Sequence, residues 1–220
     1  MDKVITAIKV QQHNPQRVSI DLDGEFAFGL SRLTAAWLKT GDQLNEEKIS
    51  SLLRQDALEV AYQQALRLLS HRLRSETEIR ERLGDKGYTV EQIDLVIEKL
   101  RSENMVRDER FAKSWVESRN EFHPRSHRLL KRELSTKGVD VTIIEAALGQ
   151  SETDEQLARQ AGEQYSRRLT GLDKPAFTRR LSGFLARRGF SYSTINQVVQ
   201  EIWQDESASS DNILKLDKDK

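Results

Sequence analysis

The sequence predicts a mainly α-helical chain: tandem three-helix units of helix-turn-helix type forming an elongated curved stack, preceded by a small N-terminal antiparallel β module. Three observations predict it. Leu83-Gly84-Asp85-Lys86-Gly87-Tyr88-Thr89 returns as Leu134-Ser135-Thr136-Lys137-Gly138-Val139-Asp140 and again as Leu185-Ala186-Arg187-Arg188-Gly189-Phe190-Ser191, 51 residues on each time. A fixed offset marks one structural unit used repeatedly. Ala65, Leu69 and Arg72 likewise match Ala112, Val116 and Arg119, then Ala161, Tyr165 and Arg168, at offsets of 47 and 49. By contrast, residues 3–30 show β-branched residues in partial alternation, the pattern of strands.

The β module is expected over residues 1–50. Val4 to Val10 and Arg17 to Leu22 read as strands, with Asn14-Pro15 marking a turn between them. Asp23-Gly24 is a hairpin signal, and Glu25 to Leu30 returns, giving about three strands. Ser31 is placed to cap a short helix through Leu38. Thr40-Gly41-Asp42 breaks it, and Asn45 starts another helix.

Unit one spans 51–106. Its first helix, Asp56 to Leu73, carries Leu58, Ala61, Tyr62, Ala65, Leu69 and Leu73 on one face. Ser75 and Glu78 have capping-box spacing and open the second helix. That helix ends in the repeated motif. Lys86, Lys137 and Arg188 suit the negative end of a helix dipole, and Gly87, Gly138 and Gly189 follow where only glycine takes a left-handed conformation cheaply. Thr89, Asp140 and Ser191 are N-cap types, so a third helix starts at the same place in each copy. In unit one it runs over Val90 to Ser102, with Val90, Ile93, Val96, Ile97 and Leu100 on one face. Unit two, 107–150, opens at Asp108, and its third helix covers Val141 to Leu148. Unit three covers 151–204. Pro124 and Pro175 suit helix entrances. Residues 205–220 are polar and read as a flexible tail.

Composition narrows the function. At 220 residues with 32% charged and 6% aromatic residues, the chain can bury a real core, and its Arg, Glu, Leu, Ala and Gln favour helix. The absence of cysteine excludes disulfides, thiolate chemistry and Cys-based zinc sites. No apolar run approaches the ~18 residues of a membrane span, and the N-terminus has no signal-peptide pattern. A soluble, cytoplasmic protein is expected.

No catalytic constellation is visible. There is no phosphate-binding Gly-Lys-Ser loop and no dinucleotide-type glycine turn. His123 and His127 are four apart, but Pro124 lies between them and a third metal ligand is lacking. Turn chemistry accounts for Asp21 and Asp23. Trp115 lies four residues after Phe111 on an apolar face and Trp203 closes the last helix, so core packing outweighs base stacking for both. The expectation is a non-enzymatic protein without cofactor or metal.

Charge distribution is more informative than the net charge of +0. Residues 67–82 hold five Arg against three Glu, residues 119–137 six Arg or Lys against two Glu, and residues 167–188 seven Arg or Lys against one Asp. The windows fall at equivalent places in the three units, and stacking could align them into a stripe. The candidate binding face is Arg72, Arg74, Arg119, Arg125, Arg128, Lys131, Arg132, Arg167, Arg168, Arg179, Arg180, Arg187 and Arg188. It suits a polyanion or an acidic protein surface. For Arg72, Arg119 and Arg168, which hold one equivalent position, an ion pair with a neighbouring helix is an equal reading.

These residues resemble the RecX family of recombination regulators. The resemblance rests on Leu69-Ser70, Arg72, Arg74-Ser75-Glu76, Glu78-Ile79, Leu83 and Lys86-Gly87, then Asp108, Phe111-Ala112, Trp115-Val116, Arg119, Glu133-Leu134 and Lys137-Gly138. Unit three joins through Leu185, Arg188-Gly189 and the following helix. It covers about residues 57–204, and departs at Ser126-His127, where many members carry a Gly-containing turn. The β module resembles an extension found in part of the family. The resemblance implies a regulator, expected to be monomeric, that binds the recombinase RecA and its filament on single-stranded DNA, with possible direct DNA contact. Its effect would be to suppress ATP hydrolysis and strand exchange, as part of recombination, repair and the SOS response. Two alternatives stand beside it: a helix-turn-helix protein that binds DNA directly, and a helical-repeat scaffold without nucleic acid. Against groove reading, the third helices carry Glu91, Asp94, Glu98 and Glu145.

Overall fold

The computed structural model describes residues 2–216, with side chains described through residue 206. The chain divides after Arg107 into two compact units.

The N-terminal unit begins with β1 (Lys3–Gln11), β2 (Asn14–Leu22), β3 (Glu25–Ser31) and β4 (Gln43–Leu44), an antiparallel sheet in the order β3-β2-β1-β4. Asp23 and Gly24 both take positive φ, 51° and 93°, as the twist of a two-residue hairpin demands. The earlier turn is Gln12-His13, and Asn14-Pro15 opens β2 instead of forming the turn. A proline at a strand's beginning withholds no ladder hydrogen bond that the sheet needs. The fourth strand, two residues long, carries no legible alternation; it pairs Lys3 with Leu44 and Val4 with Gln43. Residues 32–37 are hydrogen-bonded turns, not the expected short helix, although Ser31 Oγ does accept from Thr34 N at 3.0 Å.

The helix started by Asn45 does not stop before Asp56. It continues as α1 (Glu46–His71), 26 residues without a break, because the intervening stretch contains neither Gly nor Pro. One end of α1 gives Leu52 to the core under the sheet, with Ile5, Val18, Ile20, Leu22, Leu30 and Leu44. The other end gives Ala61, Tyr62 and Ala65 to a second core. There they meet Ile79 and Leu83 of α2 (Glu76–Gly84) and Ile93, Val96, Ile97 and Leu100 of α3 (Val90–Ser102). Val90 itself faces solvent at the first position of α3. Thr89 forms a full capping box with Gln92.

The C-terminal unit holds two further copies. Repeat two is α4 (Asp108–Phe122), α5 (His127–Thr136) and α6 (Val141–Gly149); repeat three is α7 (Asp154–Ser166), α8 (Lys174–Arg187) and α9 (Tyr192–Leu216). The glycine turn has one geometry throughout. Gly87, Gly138 and Gly189 lie at φ 87°, 72° and 88°. The next residue's N–H returns to the leucine carbonyl five positions back, at 3.3, 3.2 and 3.4 Å for Tyr88, Val139 and Phe190, which closes the helix end. Helix α9 continues to Leu216, through residues expected to be an irregular tail. The final part of that expected tail, residues 217–220, lies outside the described residues.

Candidate functional site

The repeated arginine is held differently in each copy. Arg72, just past α1, makes a two-pronged pair with Glu78, both bonds 3.0 Å, a geometry suited to guanidinium and carboxylate. Neighbouring Arg74 donates from Nε to Leu68 O at 3.0 Å. In repeat two the partner is Glu133, one residue before the motif leucine. Its Oε2 accepts from Arg119 Nε at 3.1 Å and from Trp115 Nε1 at 2.9 Å, while Oε1 takes Arg125. Arg119 also lies 4.4 Å from the Trp115 ring centroid. Burial pushes the Glu133 carboxyl up, and the bonds from Arg119, Arg125 and Trp115 outweigh it, leaving it below the usual carboxylate range.

In repeat three neither carboxylate has a counterpart. The motif alignment puts Arg180 where Glu78 stands and Phe184 where Glu133 stands. Phe184 instead stacks on Tyr165 with centroids 4.1 Å apart and planes 1° from parallel. Arg168 is exposed and has no side-chain partner among the described residues, and the same holds for Arg167, Arg179, Arg180 and Arg187. The acid in this window, Asp173, is occupied as the N-cap of α8, accepting from Ala176 N at 3.0 Å.

Two of the basic windows are brought together inside the C-terminal unit. The turn after α8 seats against the entrance of α5: Ser126 N donates to Arg188 O at 3.1 Å, Arg188 Nη1 to Pro124 O at 3.1 Å, and Arg128 Nη2 to Gly189 O at 3.3 Å. Arg188 is half-buried, 4.8 Å from the Phe184 centroid. Burial and neighbouring Arg125 pull its affinity for a proton down from the ordinary guanidinium value. Lys131 reaches Glu145 at 2.8 Å on the exposed side of α5 and α6, while Arg132 is exposed without a partner among the described residues. Arg72 and Arg74 belong to the other unit.

The candidate residues therefore sort into three kinds. Arg72, Arg119, Arg125 and Lys131 pair with carboxylates; Arg74, Arg128 and Arg188 donate to backbone carbonyls; Arg132, Arg167, Arg168, Arg179, Arg180 and Arg187 have no side-chain partner among the described residues. Four-residue spacing in the sequence pairs Glu78 with Arg74, whereas in the structure Glu78 takes both bonds from Arg72. The sequence does not connect Glu133 with its arginines, because it lies on a different helix from Arg119. The signal that finds both carboxylates is the repeat alignment, followed column by column for acids. His127 turns its ring to Glu152 O at 2.9 Å, and no cluster of three metal-ligating side chains occurs among the described residues. None of the described helices is long and apolar enough to cross a membrane.

Family models match most of the chain: the RecX first three-helix domain over residues 61–100, the second over 108–148 and the third over 152–199, with the regulatory protein RecX N-terminal domain over 3–45. The chain belongs to the RecX family. The regulatory protein RecX of Bacillus pumilus is 32% identical over 218 residues, covering 96% of this chain and 83% of its own. That of Geobacillus thermodenitrificans is 34% identical over 205 residues, covering 90% and 76%. A crystal structure of regulatory protein RecX matches with TM-score 0.68 at 25% identity, over 89% of this chain and 98% of its own. RecX from Lactobacillus salivarius matches with TM-score 0.57 at 27% identity, over 67% and 97%. The RecX match spans the β module as well as the three repeats, so the sheet is a family domain and not an unrelated appendage.

Proposed function

We propose that this RecX-family chain is a non-enzymatic regulator that binds the recombinase RecA and its filament on single-stranded DNA, and that it suppresses ATP hydrolysis and strand exchange. Membership of a family of regulatory proteins supports the reading. The observation that carries it to particular residues is the set of exposed arginines of repeat three that have no carboxylate partner among the described residues. A filament offers the same partner surface again and again, and a protein built of repeats can engage neighbouring copies, gaining avidity without a deep pocket.

The test adds purified protein, well below the recombinase's molar amount, to preformed RecA–single-stranded DNA filaments hydrolysing ATP. ATPase falls and a labelled strand reports filament loss. Replacing the exposed Arg179, Arg180 and Arg187 by Glu abolishes the effect with helicity intact. Full retention by that variant would remove the basic face from the mechanism. Unchanged ATPase with the natural protein, alongside tight binding to naked DNA at the same salt, would favour the direct DNA-binding reading instead.

A further inference from the structure

A cleft of about 460 Å³ opens in the N-terminal unit, where the start of β2 and the end of β3 meet α1. Backbone bonds build it. Arg32 N donates to Gln16 O at 2.9 Å, so the chain leaving β3 lies beside the start of β2. Ser31 N donates to Asp56, which seats that corner on α1. Val60, Gln64 and Arg67 follow on one face of the helix and form the facing wall.

Two of the charged side chains lining the cleft have counter-ions. Arg17 pairs with Asp56 at 2.9 Å. Glu59 pairs with Lys99 at 3.8 Å and also accepts from Gln63 Nε2 at 2.9 Å. The other two, Arg32 and Arg67, are exposed and have no side-chain partner among the described residues. Two guanidinium groups lining one cavity repel each other, and an anion between them relieves the repulsion. A single carboxylate balances one of them. A phosphate monoester carries close to two negative charges at neutral pH and offers three acceptor oxygens, which suit the forked donors of arginine. The cavity is larger than phosphate alone requires and falls within the range of small-molecule sites. Leu33, 64% exposed, and Val60 give it apolar surface. The side-chain amides of Gln16 and Gln64, without partners among the described residues, each present a donor and an acceptor, as the edge of a nucleobase requires. We propose that this cleft binds a small phosphate monoester of the mononucleotide class, with its phosphate on Arg32 and Arg67 and its organic part against Leu33 and Val60. The cleft belongs to the other unit from repeat three, so the inference stands apart from the proposed function.

The test titrates adenosine monophosphate into the full chain by calorimetry. Saturable binding is expected. Arg32→Ala and Arg67→Ala each weaken it about ten-fold or more, with the circular dichroism spectrum unchanged. Arg179→Ala, at an exposed arginine of repeat three, leaves affinity within about two-fold. Adenosine, without the phosphate, and inorganic phosphate, without the nucleoside, each bind at least about ten-fold more weakly. No binding at about 1 mM ligand would overturn the proposal. So would unchanged affinity in both Arg32→Ala and Arg67→Ala, or equal binding of glutarate, a dicarboxylate of similar charge. Equal binding of adenosine or of inorganic phosphate would overturn the assignment to an organic monoester. Displacement of adenosine monophosphate by an oligothymidylate without terminal phosphates, lost in the same two variants, would make the cleft a nucleic-acid groove and overturn it as well.

Discussion

Glu133 shows how one carboxylate can decide what several cations are free to do. Its two oxygens receive Arg119, Arg125 and Trp115 in a site where its side chain is 15% exposed. Replacing it with Gln leaves two guanidinium groups without their counter-charge, and a loss of roughly 1–3 kcal/mol is expected. Its carboxyl is held below the usual range, so the sign of the pH effect is fixed. The stabilisation is complete above the ordinary carboxylate pKa and is lost as pH falls through the depressed folded value. Urea midpoints measured from about pH 7 to about pH 3 should therefore fall less steeply for Glu133→Gln than for the natural protein. Parallel curves would show that Glu133 adds nothing to acid sensitivity. Arg168→Ala, at the equivalent column but without a carboxylate, should change stability by less than about 0.5 kcal/mol. The sequence alone identified these arginines as one column. It did not show which were bound, since pairing depends on an acid contributed by the next helix at a different position in each repeat.

At the scale of elements, the glycine turn was the most legible feature, because its chemistry is local. Leucine, cation, glycine and N-cap type each act within a few residues, and the structure repeats the turn three times with one set of bonds. Less legible were features set by distant partners: β4, whose two residues exist as a strand only by pairing with β1, and the turns at 32–37. Two of the three glycines, Gly87 and Gly189, also differ in a way no local motif records. A Cβ at Gly87 would meet nothing within 4 Å, whereas one at Gly189 would lie 2.6 Å from Ser126 Oγ and 2.9 Å from Leu129 Cβ. Gly87→Ala should thus cost only the left-handed strain, about 1–2 kcal/mol. Gly189→Ala should cost clearly more, because Ser126 is fully buried and the α5 entrance cannot retreat without breaking its bond to Arg188 O. Chemical denaturation of the two variants gives the comparison. Equal losses would mean that the joint between repeats two and three yields easily.

Across the whole molecule, domain boundaries drawn from sequence separated the β module from the first repeat near residue 50, whereas α1 runs through that point and belongs to both cores. The shared helix also carries the clamp between them. Asp56, with its side chain 8% exposed, pairs with Arg17 of β2 at 2.9 Å and accepts the backbone N–H of Ser31 at the end of β3. A charge buried this deeply is tolerable only with such partners, and removing one member of the pair strands the other. Asp56→Ala should cost about 3 kcal/mol. Because α1 transmits the loss in both directions, amide exchange should quicken together in β2, β3 and along α1 into the first repeat. Exchange that quickens in the strands alone, with α1 beyond Ala61 still protected, would show that the sheet is only fastened onto the helix. Quickening throughout would establish the β module and first repeat as one cooperative body, in which the sheet stiffens the helix that leads into Arg72.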